Sequence, residues 1–304
     1  MTVTHLVTHS GGFHADEVLS SVILTRLHPQ ARIMRTRDAD WITPAEGRII
    51  YDVGRDFDAA RMIFDHHQKS PPLRDDGQPY SSFGLIWRQF GRDYLAALQV
   101  PEADLGAIHA AIDADLVLPI DLVDNGALSP TGPLADLSLP MLLESLKPVF
   151  DDRSPDADDR AFDGAVAIAR AFVEAAVARK AAKHRAEAVV MAAIAAAGDG
   201  RVLELPMGMP FRSAITAAGA DHLLFVIHPR DTDWALTGIR RDADGFALRA
   251  DLPATWAGLT DSAFEAASGV PGARFCHNAR FIAVAADRDA ALHLADLAVA
   301  ASEV

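Results

Sequence analysis

Hydrophobic and polar residues in the first hundred positions follow a pattern that predicts alternating strands and helices. Short apolar runs that stop at polar residues or glycine predict strands at 4–9, 31–38, 47–54 and 61–67. Two longer segments carry apolar residues at helical spacing and predict helices at 15–28 and 81–98. Such alternation is typical of a parallel α/β sheet, in which ligands usually bind at the carboxyl ends of the strands.

The middle of the chain is mainly helical in its pattern. Apolar spacing over 104–118 predicts a helix that ends near Pro119. The alanine-rich segment 160–198 predicts one long helix that ends at Gly198 or Gly200. We interpret this second helix as a structural connector.

After the long helix the spacing becomes strand-like. Short β-like runs punctuated by Gly, Pro and Asp occur at 201–206, 222–229, 234–241, 246–253 and 280–287. A final helix is predicted from about Arg288. The sequence therefore predicts an α/β domain over 1–155, a helical connector over 156–200, and a smaller α+β domain over 201–304.

Composition narrows the function classes. The 304 residues carry a formal net charge of −14, with 50% hydrophobic and 23% charged residues, as in soluble globular proteins. This charge argues against a broad basic surface for long nucleic acids, although bound divalent cations can supply a local positive site. The single cysteine, Cys276, excludes an internal disulfide framework. With no signal-peptide pattern and no membrane span expected, we predict a cytoplasmic protein.

Four polar clusters carry candidate metal ligands, and each has an ordinary structural explanation by itself. His9, His14 and Asp16 surround a Gly-Gly turn at the start of a predicted helix, where a capped helix is the simpler interpretation. Asp52 ends a predicted strand, as turn-forming residues often do. The other two clusters are the strand end FDHHQ at 64–68 and the stretch PIDLVDNG at 119–126, which ends in ordinary Asp-Asn-Gly turn chemistry.

Together the four clusters point to a metal site. Successive segments each bring His or Asp to what should be the same edge of one sheet. Their number suits two divalent cations joined by a bridging carboxylate, an arrangement typical of two-metal hydrolases. Mixed His and Asp ligands without Cys favour Mn²⁺, leave Mg²⁺, Fe or Co open, and argue against structural Zn²⁺.

The order of these motifs resembles a known family. His9, His14-x-Asp16, Asp52, Asp65-His66-His67 and Asp124-Asn125-Gly126 are similar to the motifs of the Asp-His-His (DHH) phosphoesterase superfamily. The stretches THSGGFHADE, YDVG, FDHHQ, SSFGLIW, DLVDNG and SGVPGARFCHNARFI, in this order, resemble the Myg family. The resemblance spans nearly the whole chain, and it implies a DHH-type N-terminal domain and a 3′–5′ exonuclease acting on RNA.

The resemblance implies a role for each matching residue. The implied metal ligands are His9, His14, Asp16, Asp52, His66 and Asp124. His14 stands where most of the superfamily has an aspartate, a substitution that the Myg family shares. Asp52 matches the bridging carboxylate and His67 matches a partner aimed at substrate phosphate or at a neighbouring carboxylate. Asp65 is expected to orient an imidazole, and Asp121 could compete with Asp124.

Further residues are candidates for substrate contact. Ser81 and Ser82 open a predicted helix, where they are either phosphate contacts or a plain N-cap. In the C-terminal region the candidates are His277 and Arg280, although Asn278-Ala279-Arg280 is bulkier than the small-residue loop that the resemblance implies.

The predicted hairpin 238–251 adds Arg240, Arg241 and Arg249, since arginine binds phosphate bidentately. Solvated hairpin residues are the simpler interpretation for at least two of these three arginines.

The sequence leaves three functions open. The first is a Mn²⁺-dependent phosphodiesterase or exoribonuclease, whose acidic chain suits short single strands or nucleotide ends better than long duplexes. The second is a phosphoanhydride hydrolase acting on pyrophosphate or a small nucleotide, and the third is a metal-binding protein without turnover. The oligomeric state also stays open, a homo-oligomer included.

Overall fold

The structure is a computed structural model that describes residues 2–242 and 245–302. It divides into two compact units, Met1–Ala181 and Ala182–Val304. The boundary falls inside a long helix, whereas the sequence pattern treated 156–200 as a separate connector. No helix in the described part of the chain is both long enough and apolar enough to cross a bilayer.

The first unit contains the predicted parallel sheet. Its strands are β1 (His5–Thr8), β2 (Arg32–Arg35), β3 (Arg48–Tyr51), β4 (Phe57–Asp58) and β5 (Ile63–Phe64). They lie in the order β2-β1-β3-β5-β4, and only β4 is antiparallel to its neighbour. The carboxyl ends of β1, β3 and β5 therefore meet at one edge, and each is followed by polar residues of the candidate site.

Helices cover this sheet and bury its apolar residues. They are α1 (Ala15–Leu27), α2 (Ser82–Ala97), α3 (Leu105–Ile112), α4 (Leu118–Asp124) and α5 (Leu139–Glu144). Helix α1 is buried from Ala15 to Leu24, because it packs between the sheet and its neighbouring helices. Tyr51, Phe64 and Trp87 are among the largest fully buried side chains of this core.

The helix predicted to end near Pro119 continues for another turn, so that prediction was wrong. After α3, residues 113–117 form a π-helical turn, and Pro119 then lies in the first turn of α4. Pro119 follows directly after this π-helical turn, where the regular i→i−4 hydrogen bonding of the helix is already interrupted. Asp121 and Asp124 therefore project from a helix rather than from a turn.

Helix α6 (Ala157–Ala197) forms as its alanine content predicts, with 41 residues. Asp158 and Asp159 lie in its first turn, where negative charge complements the helix dipole. Val173 and Val177 belong to the core of the first unit, and Val190 belongs to a core cluster of the second.

The second unit is a smaller α+β domain. Its strands are β6 (Val202–Glu204), β7 (Phe225–Pro229), β8 (Trp234–Gly238), β9 (Ala273–Cys276) and β10 (Ile282–Ala285), in the order β6-β7-β8-β10-β9. Its helices are α7 (Arg212–Ala217), α8 (Asp261–Ser268) and α9 (Arg288–Ser302). The pair β6 and β7 is parallel and the other strand pairs are antiparallel.

One prediction for this unit was wrong, and one strand was not predicted. The run 246–253 forms no strand, because only Leu248 makes a β-bridge, to Arg240, and Pro253 has no N–H to extend the pairing. Strand β9 was not predicted. Residues 243–244 of the predicted hairpin lie outside the described residues.

Candidate metal centre

The loop between β1 and α1 supplies the first polar group of the site. His14 is the N-cap of α1, and its backbone N–H donates to both carboxylate oxygens of Glu17 at 2.9 Å. This half of a capping box fixes Glu17 against the loop. The Nε2 atom of His9 lies 3.0 Å from Glu17 Oε1, and the turn at Gly11 has a positive φ of 93°.

The loop after β3 positions Asp52 with an unusual backbone. Asp52 and Arg55 have φ values of 54° and 56°, and Gly54 between them has a φ of 106°. Left-handed conformations at non-glycine residues are costly, and they cluster at functional sites. They turn the chain sharply enough to hold the Asp52 side chain, which is only 2% exposed, in the polar cluster.

Asp65 organises the doubled histidine after β5. Its Oδ1 atom accepts hydrogen bonds from the backbone N–H groups of His66 and His67, and its Oδ2 accepts from Arg55 N. The two imidazoles then separate: the His66 side chain is 6% exposed and that of His67 is 56% exposed. His67 Nδ1 lies 2.8 Å from Asp65 Oδ1, and this hydrogen bond raises the pKa of His67.

Asn125 determines which nitrogen of His66 faces the cluster. The Asn125 Nδ2 group donates to the carbonyls of Tyr80 and Asp121, which leaves Oδ1 as the acceptor 3.3 Å from His66 Nδ1. Nδ1 must therefore carry a proton to make this bond. In the neutral imidazole the lone pair is then on Nε2, which points at carboxylates instead of at a donor.

Asp52 lies between two histidines and contacts each with a different oxygen. Its Oδ2 is 3.2 Å from His9 Nε2, and its Oδ1 is 3.5 Å from His66 Nε2. His66 Nε2 is also 3.3 Å from Asp124 Oδ2 and 4.0 Å from Asp16 Oδ2. The candidate ligand atoms form four overlapping groups, and the atoms of each group all lie within 4.8 Å of one another. The residues of these groups are His9, His14, Asp16, Glu17, Asp52, Asp65, His66, His67 and Asp124.

The cluster leaves buried polar atoms without hydrogen-bond partners. Both oxygens of Asp16, a residue only 1% exposed, and Nε2 of His66 have none within the described part of the chain. The polar groups nearest to Asp16 include other acceptors, Glu17 and Asp124, with which it can bond only by sharing a proton. Burial and the neighbouring carboxylates Asp52 and Asp124 raise the pKa of Asp16 well above its ordinary value. A divalent cation fits this donor set, since carboxylate oxygens and imidazole nitrogens converge here and both oxygens of Asp16 lack a hydrogen-bond donor in the described residues.

The crowding of charged groups also shifts the pKa values of His9, His66 and Asp52. Burial opposes the charged form of His9, but hydrogen bonds to Asp52 and Glu17 raise its pKa to about 10. The same balance at His66 raises its pKa to about 8, chiefly through Asp52. Bonds from His66 and His9 hold the pKa of Asp52 below its usual range in spite of burial. In the metal-free protein, protonated histidines therefore take the place of cations.

Two cavities open onto the cluster. One, of about 420 Å³, contains Arg37 and Arg55 on its wall, and the other, of about 490 Å³, contains Asp124, Asn125 and Glu144. Both are also lined by His14, Asp52 and His67. The Arg37 and Arg55 side chains form no ion pair with any carboxylate of residues 2–242 and 245–302, so we call the first cavity, which Asp52 and Asp65 also line, the basic cavity.

The hydroxyls of Ser81 and Ser82 both donate hydrogen bonds to buried carboxylates. Ser81 Oγ donates to Asp121 Oδ1 at 2.7 Å, and Ser82 Oγ donates to Asp52 Oδ1 at 3.3 Å. Both residues are fully buried, and Ser81, although at the N-cap position of α2, makes no side-chain cap bond. Buried carboxylates need donors, and these hydroxyls supply them.

Asp121 lies in a separate network and not among the donor groups. Its carboxylate accepts from the backbone and hydroxyl of Ser81 and from Nε and Nη2 of Arg74, the latter at 2.6 Å. Arg74 also pairs with Asp113 at 2.7 Å. The competition that the sequence allowed between Asp121 and Asp124 is therefore absent from the described structure.

The C-terminal candidates lie in the second unit. Arg249 pairs with Asp221 at 3.0 Å and donates to the carbonyls of Ala220 and Leu223, so its guanidinium makes structural contacts within the second unit. Arg280 pairs with Asp251 at 2.7 Å. His277 Nδ1 accepts from the backbone N–H of Ala279, two residues further along its own loop.

Sequence reasoning missed several residues of the centre. Glu17 was not among the predicted ligands, although its position three residues after a helix start is the capping-box signal that would have located it. Asn125 was taken as part of a turn, and its contact with His66 depends on α4 continuing past Pro119. Arg37 and Arg55 carry no local signal in the sequence.

Comparison with known proteins gives matches along the whole chain. The family model described as Uncharacterised protein family (UPF0160) matches residues 5–299. The protein MYG1 exonuclease of Homo sapiens is 30% identical over 334 residues, covering 97% of this chain and 85% of that protein. A MYG1 protein of Saccharomyces cerevisiae is 28% identical over 331 residues, covering 97% of this chain and 95% of that protein.

Two solved structures were also matched. RecJ of Thermus thermophilus in complex with Mg²⁺ is 14% identical with a TM-score of 0.28, covering 97% of this chain and 50% of that one. Exonuclease RecJ bound to manganese is 15% identical with a TM-score of 0.25, covering 99% of this chain and 90% of that one.

Proposed function

The chain belongs to the UPF0160 family, and on that premise we propose that it is a metal-dependent phosphodiesterase, a 3′–5′ exonuclease acting on RNA or short oligonucleotides. Relatives from Homo sapiens and Bos taurus are named MYG1 exonuclease. Their names support a nuclease. The RNA substrate and the direction of cleavage are our proposal.

The observation that carries the proposal is the crowding of buried carboxylates around Asp52. Asp16 and Asp124 lie 4.0 Å and 3.3 Å from His66 Nε2, and neither oxygen of Asp16 has a hydrogen-bond partner among the described residues. A protein fold gains nothing from this arrangement by itself, because buried carboxylates that lack a partner destabilise it. The arrangement becomes favourable once divalent cations are bound.

The donor set divides naturally into two groups that share Asp52. His9 faces one oxygen of Asp52, and His66 with Asp124 faces the other. We propose that His9, His14, Asp16, Asp52, His66 and Asp124 hold two divalent cations, with manganese preferred over magnesium because imidazoles contribute. Bound there, such cations lower the pKa of water and neutralise charge on a phosphoryl group.

The side chains around the cations would position the substrate. Arg37 and Arg55 line the basic cavity next to Asp52 and suit the non-bridging oxygens of a phosphate. His67 lines both cavities, and its raised pKa favours an imidazolium that donates a hydrogen bond to the same group. Asp65 holds that imidazole in place through its Nδ1.

The charge distribution restricts the substrate that we propose. One cavity is basic and the other carries Asp124 and Glu144, so a polyanion is favoured on one side of the cluster only. Together with the net charge of −14, this favours a strand end or a short oligonucleotide over a long duplex.

A substrate panel tests this function. Purified protein with Mn²⁺, Mg²⁺ or EDTA is incubated with a 5′-labelled and a 3′-labelled RNA, the matching DNA, a dinucleotide and pyrophosphate. We expect Mn²⁺-dependent release of labelled mononucleotide from 3′-labelled RNA at once, and a ladder of shortening products from 5′-labelled RNA. Asp52→Ala and His66→Ala should be inactive, and Asp75→Ala, at an exposed position, should match the wild type.

Other results would change the assignment. Hydrolysis of pyrophosphate alone would make the protein a phosphoanhydride hydrolase. No metal-dependent turnover of any substrate, or full activity of Asp52→Ala, would reject a phosphoesterase.

A further inference from the structure

The second unit has a cavity of its own, of about 400 Å³, whose wall carries positive charge. Lys183 from α6, Arg212 from the start of α7, and the hydroxyl-bearing Ser213 and Thr237 line it. Phe211 also lines it and adds an aromatic side chain. The cavity therefore combines cations, hydroxyl donors and an aromatic ring, the groups that proteins use for phosphate and stacked bases.

The cations of this cavity are not neutralised. Neither Lys183 nor Arg212 forms an ion pair with any carboxylate of residues 2–242 and 245–302. Other arginines of the same unit do find carboxylates, namely Arg230, Arg249, Arg274, Arg280 and Arg288. In a chain with 42 acidic and 28 basic residues, both cations of this cavity are left without a carboxylate partner and can take an anionic ligand.

Arg240 adds a third positive charge near the cavity and increases the repulsion between cations there. Burial and the nearby charge of Arg240 lower the pKa of Arg212. The Arg240 guanidinium lies 4.7 Å from the ring centroid of Phe246, a side chain that is 85% exposed. Neighbouring cations repel one another, and a bound anion removes this repulsion. An exposed ring beside a guanidinium also offers a surface on which a base can stack.

We propose that this cavity binds the phosphate backbone of a single-stranded oligonucleotide, with Lys183 and Arg212 as its phosphate ligands. This inference rests on the proposed function, because the cavity would be a second binding site for the same class of substrate. It differs from the candidates predicted from the sequence, His277, Arg280 and Arg249, of which Arg249 and Arg280 are each paired with an aspartate.

Binding of a strand without cleavage tests the proposal. A fluorescent single-stranded RNA 12-mer is titrated with the full chain in EDTA, and anisotropy is followed over a range of salt concentrations. We expect Lys183→Gln/Arg212→Gln to weaken binding by roughly tenfold and to reduce the slope of log K against log salt by about 1.4, or about 0.7 for each lost phosphate contact. The matched control is Arg179→Gln/Arg185→Gln, which removes two exposed charges of α6 outside the cavity and should lower affinity less than threefold.

Turnover of a small substrate separates this inference from the proposed function. Bis(p-nitrophenyl) phosphate with Mn²⁺ reaches the metal centre without needing a strand contact, so the cavity double variant should hydrolyse it at the wild-type rate. If the wild type cleaves this ester and the double variant binds RNA as tightly as the control, the cavity proposal is overturned and the phosphodiesterase stands. If the wild type cleaves no phosphodiester, the proposed function fails, whatever the binding result.

A small anion is the remaining occupant to exclude. Inorganic phosphate and a mononucleotide are titrated into the wild type and the double variant by calorimetry. Weak binding of both, in the millimolar range or above, supports a strand site. Micromolar binding of phosphate that requires Lys183 and Arg212, without RNA binding, would overturn it in favour of a small-anion site.

Discussion

Two buried carboxylates of the first unit, Asp121 and Asp16, have opposite surroundings. Asp121 is fully buried and accepts hydrogen bonds from Arg74 and Ser81, so its charge is neutralised within the fold. Asp16 is as deeply buried and has no partner for either oxygen within the described residues. The first carboxylate is stabilised by the protein alone, whereas the second has no hydrogen-bond donor in the described residues and fits a bound cation. Unsatisfied groups, more than buried ones, therefore indicate the site.

Among the tests of this contrast, the substitution Asp16→Asn is expected to have the largest effect. We expect activity with Mn²⁺ to fall roughly a thousandfold, about 4 kcal/mol of transition-state stabilisation. The metal-free variant should be more stable than the metal-free wild type by about 1 kcal/mol, or about 2–4 °C in melting temperature, because an uncompensated charge is removed. Thermal unfolding in EDTA measures this, and a lower melting temperature for the variant would contradict the argument.

Asp121→Ala should have the opposite effects. Its removal leaves Arg74, with an 11% exposed side chain, short of one partner, and we expect a loss of about 3 kcal/mol in the free energy of unfolding. Asp113 still pairs with Arg74, which keeps the loss at this level. Arg74→Met/Asp121→Leu should recover part of it. Urea unfolding decides the point, and an Asp121→Ala protein as stable as the wild type would mean that the network is not structural.

Asn125→Leu tests the link between the two regions, since Asn125 lies between His66 and the backbone of Asp121. Without an acceptor at Nδ1, the His66 ring loses its fixed tautomer, and we expect Mn²⁺ affinity to fall about 10–100-fold. Asn125→Asp keeps the acceptor and should lose much less. Calorimetric titration with Mn²⁺ compares them, and equal affinities for the Leu variant and the wild type would rule out this role.

The smallest effect concerns pH. His9 has a pKa raised to about 10, so its contribution to stability is complete below its ordinary value of 6.5 and is lost as pH rises toward 10. Asp16 has a raised pKa, so its ionisation also destabilises the metal-free fold as pH rises. Cations replace the lost protons, and the gain in melting temperature on adding Mn²⁺ should therefore be larger, by roughly a few degrees, at pH 9 than at pH 6. A gain that shrinks with pH would contradict this sign.

Local patterns predicted most elements of the fold. The strands around β1, β3 and β7 and the helices α1, α2, α6 and α9 follow from apolar spacing and alanine content. The patterns failed where tertiary packing decides the outcome. Helix α4 continues through Pro119 after a π-helical turn, and β5 has only two paired residues because Asp65 turns the chain directly after it.

In the site, too, residues with a local sequence signal were predicted, whereas residues that act through contacts with distant positions were missed. Most of its His and Asp residues were predicted because they follow a strand or open a helix. Asp124, the last residue of α4, was predicted because it precedes Asn125-Gly126. Residues that act through distant contacts were not, since Arg74 reaches Asp121 across 47 positions and Asn125 reaches His66 across 59. For Ser81 and Ser82 the sequence left phosphate contact and a plain N-cap open, and in the structure both hydroxyls donate to buried carboxylates.

Arg35 connects the ligand loop to a helix far along the chain. Its side chain, 3% exposed, donates to the carbonyl of Gly11, pairs with Asp159 at 2.8 Å and lies 4.5 Å from the ring centroid of Phe162. The loop that carries His9 and His14 therefore cannot open without disturbing the first turns of α6. Metal occupancy should accordingly slow amide hydrogen exchange in residues 157–162, none of which is in a donor group, so that this end of the helix reports the state of the centre.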